Sequence, residues 1–111
     1  MKYLCLVYGD EKAMRAMDDN ECAAYGNELK GKGYHVASEA LQSVQTATTV
    51  RVRNKQVSVT DGPFAETKEQ LAGFYLIDAK DLNEAIRVAS GIPPARIGSI
   101  EIRPVRELDV T

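Results

Sequence analysis

Two stretches, KYLCLVY at Lys2–Tyr8 and AGFYLID at Ala72–Asp78, limit the folds open to this chain more than any other feature. Both read as strands, and successive side chains of a strand point to opposite faces. In the first, Tyr3, Cys5 and Val7 point one way and Leu4, Leu6 and Tyr8 the other. In the second, Phe74 and Leu76 oppose Tyr75 and Ile77. Neither strand has a polar face, and antiparallel strands of that kind need cover on both sides.

The other elements say what can supply that cover. Asp18-Asp19-Asn20-Glu21 has the spacing of a capping box, with Asp18 as cap and Glu21 reaching back to it. Cys22, Tyr25 and Leu29 then share a helical face, and Gly33 closes the helix. YHVASEAL is a second extended run. TTVRVRNKQVSVT alternates valines with polar residues on either side of Asn54-Lys55, a pair suited to a two-residue hairpin turn. DLNEAIRVASG repeats the capping logic with Asp81 and Glu84, placing Leu82, Ala85, Ile86 and Ala89 inward. Gly91, Pro93 and Pro94 end that helix, and SIEIRPV is the last strand.

The order predicts one α+β domain over residues 1–111, ferredoxin-like βαββαβ with an added β-hairpin and an antiparallel sheet. Two helices cover one face of such a sheet. The other is expected to meet the same face of a second copy in a two-fold homodimer, at ~1.5–3 kcal/mol per large side chain buried. The alternative is a monomer whose second face lines a ligand cleft.

The 111 residues carry a net charge of -2 with scattered basic residues, which argues against nucleic acid as a partner. No apolar run approaches the ~20 residues of a membrane span. The N-terminal apolar run meets acid by Asp10, too early for a signal peptide, so the expected location is the cytoplasm. Cys5, Cys22 and the single His35 do not make a zinc site, and the two cysteines read as reduced, partly buried thiols. With no phosphate loop, dinucleotide fingerprint or metal cluster, no cofactor is expected.

Chemistry concentrates in SVTDGPFAETKEQLAGFYLID, Ser58–Asp78. Asp61 before Gly62 and Pro63 reads as a turn residue whose carboxylate bonds nearby N–H groups. Alternatively it is a proton carrier at the mouth of a cleft between the sheet and a partner, where burial would raise its pKa. Phe64 is expected to plug a gap in the core or the dimer seam. Glu66 and Glu69 share a face if the segment is helical, with Lys68 opposite. Such a charged run reads as a solvated face or as ligand-binding groups. Histidine is the side-chain type whose ordinary pKa lies near neutrality, and His35 is the one histidine of the chain; in a regular strand Glu39 points to the same side about 13 Å away. Tyr8 and Tyr75 can offer hydroxyls to a common cleft, and Arg51 and Arg53 either face solvent or grip an anion.

VTDGPFAETKEQLAGFYLID, with SEALQSVQTATTVRVR before it and GSIEIRPV after it, resembles the DGPF branch of the YCII-related proteins over nearly the whole chain. Asp61-Gly62-Pro63-Phe64 with Glu66, Lys68, Glu69 and Gly73 in register carries the resemblance. It implies a bacterial source, a ferredoxin-like fold assembled as a dimeric α+β barrel, and an unsettled biochemical role. Relatives include dehydrochlorinases, which suggests by analogy a cofactor-free, lyase- or isomerase-like acid/base enzyme acting on a small metabolite. Association of DGPF-type proteins with extracytoplasmic-function sigma factors suggests the alternative, a non-catalytic ligand-binding or regulatory module. The family's histidine on the first helix and its aspartate before the last strand have no counterparts here. Tyr25 stands on the helix, and GIPPARIGS contains no acid.

Overall fold

The computed structural model describes residues 1–110. Its strands are β1 (Lys2–Gly9), β2 (His35–Ala40), β3 (Thr48–Arg53), β4 (Gln56–Asp61), β5 (Gln70–Asp78) and β6 (Ser99–Pro104). Its α-helices are α1 (Glu11–Arg15), α2 (Asp19–Gly31) and α3 (Leu82–Ser90), with 3-10 turns at Val44–Thr46 and Pro93–Arg96. β2, β5, β1 and β6 form, in that order, one antiparallel sheet, and β3 pairs only with β4. This is the ferredoxin-like arrangement, with the hairpin set apart from the main sheet.

The two central strands behave as their sequences require. Tyr3, Cys5 and Val7 of β1 and Tyr75 and Ile77 of β5 are buried, packed with Leu29 of α2 and Ala85, Val88 and Ala89 of α3. On the helix-free side Leu4 pairs with Leu76 and Leu6 with Phe74, and all four are only half-buried. Ile100 and Ile102 of β6 pack against the core, while Glu101 and Arg103 lie across from Leu6 and Leu4.

Local chemistry fixes the helix ends. The Asp18 carboxylate accepts from the Asn20 N–H at 2.9 Å. Glu21 does not complete the capping box. It pairs instead with the Arg96 guanidinium at 2.6 Å, which ties the start of α2 to the second 3-10 turn. That hydrogen bond holds the Glu21 carboxyl below the usual carboxylate range. At the other end of α2, Gly33 (φ 80°) donates to Lys30 and Tyr34 to Leu29, the paired bonds of a Schellman motif. In α3 the Asp81 carboxylate accepts from the Glu84 N–H at 2.9 Å. Its buried stripe is Ala85, Val88 and Ala89; Leu82 and Ile86, expected inward, are 50% and 48% exposed on the flank of the helix. The sequence reading also missed α1, although Asp10 caps it by accepting from the Ala13 N–H at 3.1 Å.

Gly98 is needed for space, with the tightest backbone approach of the chain's glycines. A Cβ at Gly98 would run into the Tyr8 carbonyl oxygen, where β1 passes under the turn into β6. A Cβ at Gly26, inside α2, meets nothing within 4 Å beyond its own helix. Gly98→Ala is therefore expected to cost about 1–3 kcal/mol, because backbone cannot yield as a side chain does. Gly26→Ala is expected to stabilise by about 0.5–1 kcal/mol through its helix preference. Urea unfolding of both variants checks the opposite signs.

Candidate functional site

A cleft of about 620 Å³ lies within one chain on the helix side of the sheet. It forms where α1 and the start of α2 stand away from β2, β5 and the loop that follows β2. Val7, Met14, Met17, Leu41 and Leu71 give it an apolar lining, with Tyr75 on its wall and Cys22 on the facing helix. Glu11, Arg15 and Asp19 supply charge at its rim. Glu11 also holds the cleft's shape, since its carboxylate accepts from the Val44 N–H at 2.8 Å and fastens α1 to the first 3-10 turn. A single chain thus builds a cleft of its own, in part with the helix the sequence reading did not anticipate.

A β-bulge determines what faces this cleft. His35 pairs with Ile77 but Ala37 with Leu76, so Val36 is an extra residue in β2. The bulge re-aims the side chains after it. His35 and Ser38, which would oppose each other in a regular strand, both fall on the helix side with Ile77 and Tyr75. Their side chains are 2.7 Å apart, His35 Nε2 to Ser38 Oγ, and Ser38 lines the cleft. Glu39, expected on the side of His35, pairs with Phe74 on the opposite face for the same reason.

Tyr75 is buried, its ring edge-on to Tyr25 with centroids 6.5 Å apart. Its hydroxyl lies 3.5 Å from the Cys22 carbonyl oxygen. Burial pushes both phenols above their usual pKa, so they remain protonated donors near neutrality. The Tyr25 hydroxyl donates to the Val88 carbonyl and so stitches α2 to α3. Tyr8 continues the Leu4–Leu6 row on the helix-free face, so Tyr8 and Tyr75 lie on opposite sides of the sheet and share no cleft.

The DGPF segment lies apart from the cleft. Asp61 closes β4 opposite Thr48 and is exposed, and the turn after it is held by backbone. Gly62, at φ 101°, donates to the Ala47 carbonyl at 2.7 Å and accepts from the Thr49 hydroxyl at 2.7 Å. Among the described residues no N–H is bonded to the Asp61 carboxylate, so glycine rather than aspartate makes this turn. Phe64 is 79% exposed and plugs no gap within the chain. Residues 62–69 are bends without a helix, which separates Glu66 from Glu69. Glu66 borders a shallow hollow with Val44, Pro63 and Gln70, while Glu69 accepts from the Ser99 hydroxyl at 2.8 Å. Lys68 is exposed, as are Arg51 and Arg53.

No group of three or more histidine, cysteine or acidic side chains is arranged to hold a metal among the described residues. Nor is any helix among them long and apolar enough to cross a membrane. The residues that sequence reasoning missed are Ser38 and the rim of α1. Ser38 carries no local signal, because its partnership with His35 depends on the bulge.

Strand order, helix placement and cleft define a ferredoxin-like α+β domain with an internal site between its first helices and its sheet. The chain belongs to the YCII-related family, whose domain model matches residues 1–109. It is also 38% identical over 114 aligned residues to an uncharacterized protein of Rhizobium meliloti (strain 1021), a match covering 95% of this chain and 92% of that one.

The two thiols give a direct check on this geometry. Cys5 is fully buried, and burial pushes its thiol up to about 11. Burial first, then Asp19 and Glu21, also pushes the cleft-lining Cys22 upward. Thiolate is the reactive form. With a thiol-specific disulfide reagent, native protein at pH 8 is expected to label slowly at Cys22, at a rate still rising above pH 9. Cys5 is expected to label only in denaturant. Fast stoichiometric labelling of Cys5 in the native state would contradict the packing described.

Proposed function

We propose that this protein is a cofactor-free acid/base enzyme, lyase- or isomerase-like, acting on a small and largely apolar metabolite in the helix-side cleft. The observation that carries the reading is the 2.7 Å approach of His35 Nε2 to Ser38 Oγ on the wall of that cleft. A hydroxyl in the cleft, bonded to an imidazole behind it, is a two-step proton path. As the substrate passes a proton to Ser38 Oγ, the hydroxyl proton moves to His35 Nε2, and the reverse transfer returns a proton at the product's position. No net redox change and no third reactant are required. The methionines give the apolar wall a shape that adapts to its guest.

In this reading His35 keeps the role expected from the sequence, and Asp61 stands outside the chemistry. The DGPF motif supports a place in that branch of the family. The apolar helix-free face supports a dimeric barrel, in which each chain contributes its own cleft.

Thermal-shift screening against a metabolite library, followed by turnover assays on the hits, tests the proposal. Ser38→Ala and His35→Gln are each expected to lower kcat by about 10²–10⁴-fold while KM changes little. Asp61→Asn is expected to leave both unchanged. Turnover that persists in Ser38→Ala and His35→Gln removes the proton path. A ligand that binds tightly and is never converted supports the non-catalytic module instead.

A further inference from the structure

The β3–β4 hairpin carries the apolar surface that one chain leaves most open. Val50 pairs with Val59 and Val52 with Val57, so the four side chains lie on one face of the ribbon. They are between 56% and 68% exposed. Arg51 and Arg53, opposite Ser58 and Gln56, occupy the other face. An isolated two-stranded ribbon is marginal in water. This one nevertheless has a fixed register, set by Asn54 and Lys55 at φ 51° and 64° and closed at its base through Gly62. A strictly specified register accompanies a face that is buried against something.

Three observations point to a second copy of this chain as the occupant. The radius of gyration is 15.9 Å, against about 13 Å for a compact domain of roughly this length, so the ribbon stands off the body as an arm. The body itself has an apolar surface that helices do not cover, Leu4, Leu6, Phe74 and Leu76, and a two-fold pairing satisfies donor and acceptor surfaces together. Charge is divided in the same sense. The ribbon holds Arg51, Arg53 and Lys55 against Asp61, which leaves the body of a chain with net charge -2 more acidic than the whole. On the acceptor face Glu39 neighbours Phe74 and Glu101 neighbours Leu6, while Arg103, 3.7 Å from Glu101, neighbours Leu4.

We propose that the β3–β4 hairpin is a dimerisation arm, laying its four-valine face on the helix-free sheet of a second copy, beside the Leu6–Phe74 row, in a reciprocal exchange. It rests on the dimer named under the proposed function and adds the segment that grips the partner. Apolar contact supplies the adhesion. The net basic arm and the net acidic body steer the encounter, which gives association a salt dependence.

Sedimentation equilibrium of wild type, Val57→Lys/Val59→Lys and Leu6→Lys tests it. Wild type is expected to be dimeric at micromolar concentration. The arm variant is expected to dissociate about 10⁴-fold more readily, as loss of two buried valines from each of the two arms implies, with an unchanged far-UV spectrum. Equal dissociation constants for wild type and the arm variant would overturn the arm and leave sheet-face pairing standing, provided Leu6→Lys weakens the dimer. A monomeric wild type overturns both. Should the lysine variant fail to fold, hydrogen exchange on wild type decides. Protection of amides 49–60 that rises with protein concentration supports the arm, and protection independent of concentration overturns it.

Discussion

Everything else in the molecule is arranged around the pairing of β1 with β5. These strands run antiparallel through the middle of the sheet, and every apolar side chain they carry has to be placed on one of two faces. The helix side closes over Tyr3, Cys5, Val7, Tyr75 and Ile77 to make the core. The same register sets Leu4 against Leu76 and Leu6 against Phe74 on the far side, where the chain has no third layer. A one-residue slip would exchange the two sets, so the core and the uncovered face are specified by one register. In a domain of this size, with ordinary stability of several kcal/mol, half-exposed rows of large side chains are a cost. The proposed second copy would cover them.

Much of this was legible in the chain. Two-sided strands can be read from alternation alone, and the Asn54-Lys55 turn followed from two adjacent residues suited to positive φ. Asp18 and Asp81 cap helices as their spacing suggested. The failures have local causes. Helix α1 is five residues long, too short for a periodic signal, and only Asp10 announced it. Glu21 found a stronger partner in Arg96, 75 positions away, than in its own cap. Leu82 and Ile86 match a helical stripe, yet the buried stripe is Ala85, Val88 and Ala89, a face that periodicity alone does not single out.

The site was harder to read because it depends on an irregularity. Strand alternation placed Glu39 on the same side of the strand as His35, and one extra residue at Val36 reversed that, setting Ser38 on that side instead. A bulge is a difference in pairing between two strands, and no single stretch of sequence contains it. The DGPF segment shows the converse case. Its sequence reads first as a turn and second as a site, and Gly62 makes the turn while Asp61 and Phe64 lie on the exterior of the single chain.

In the proposed dimer the Leu4, Leu6, Phe74 and Leu76 surface meets its own copy. Isotope-filtered NMR on a mixed sample, one half carbon-13 labelled and the other unlabelled, reads this directly. The account predicts intermolecular contacts from the methyl groups of Leu6 and Leu76, together with protection of those methyls from a soluble paramagnetic agent. Methyls that show no intermolecular contact and relax freely in the presence of the agent would contradict it.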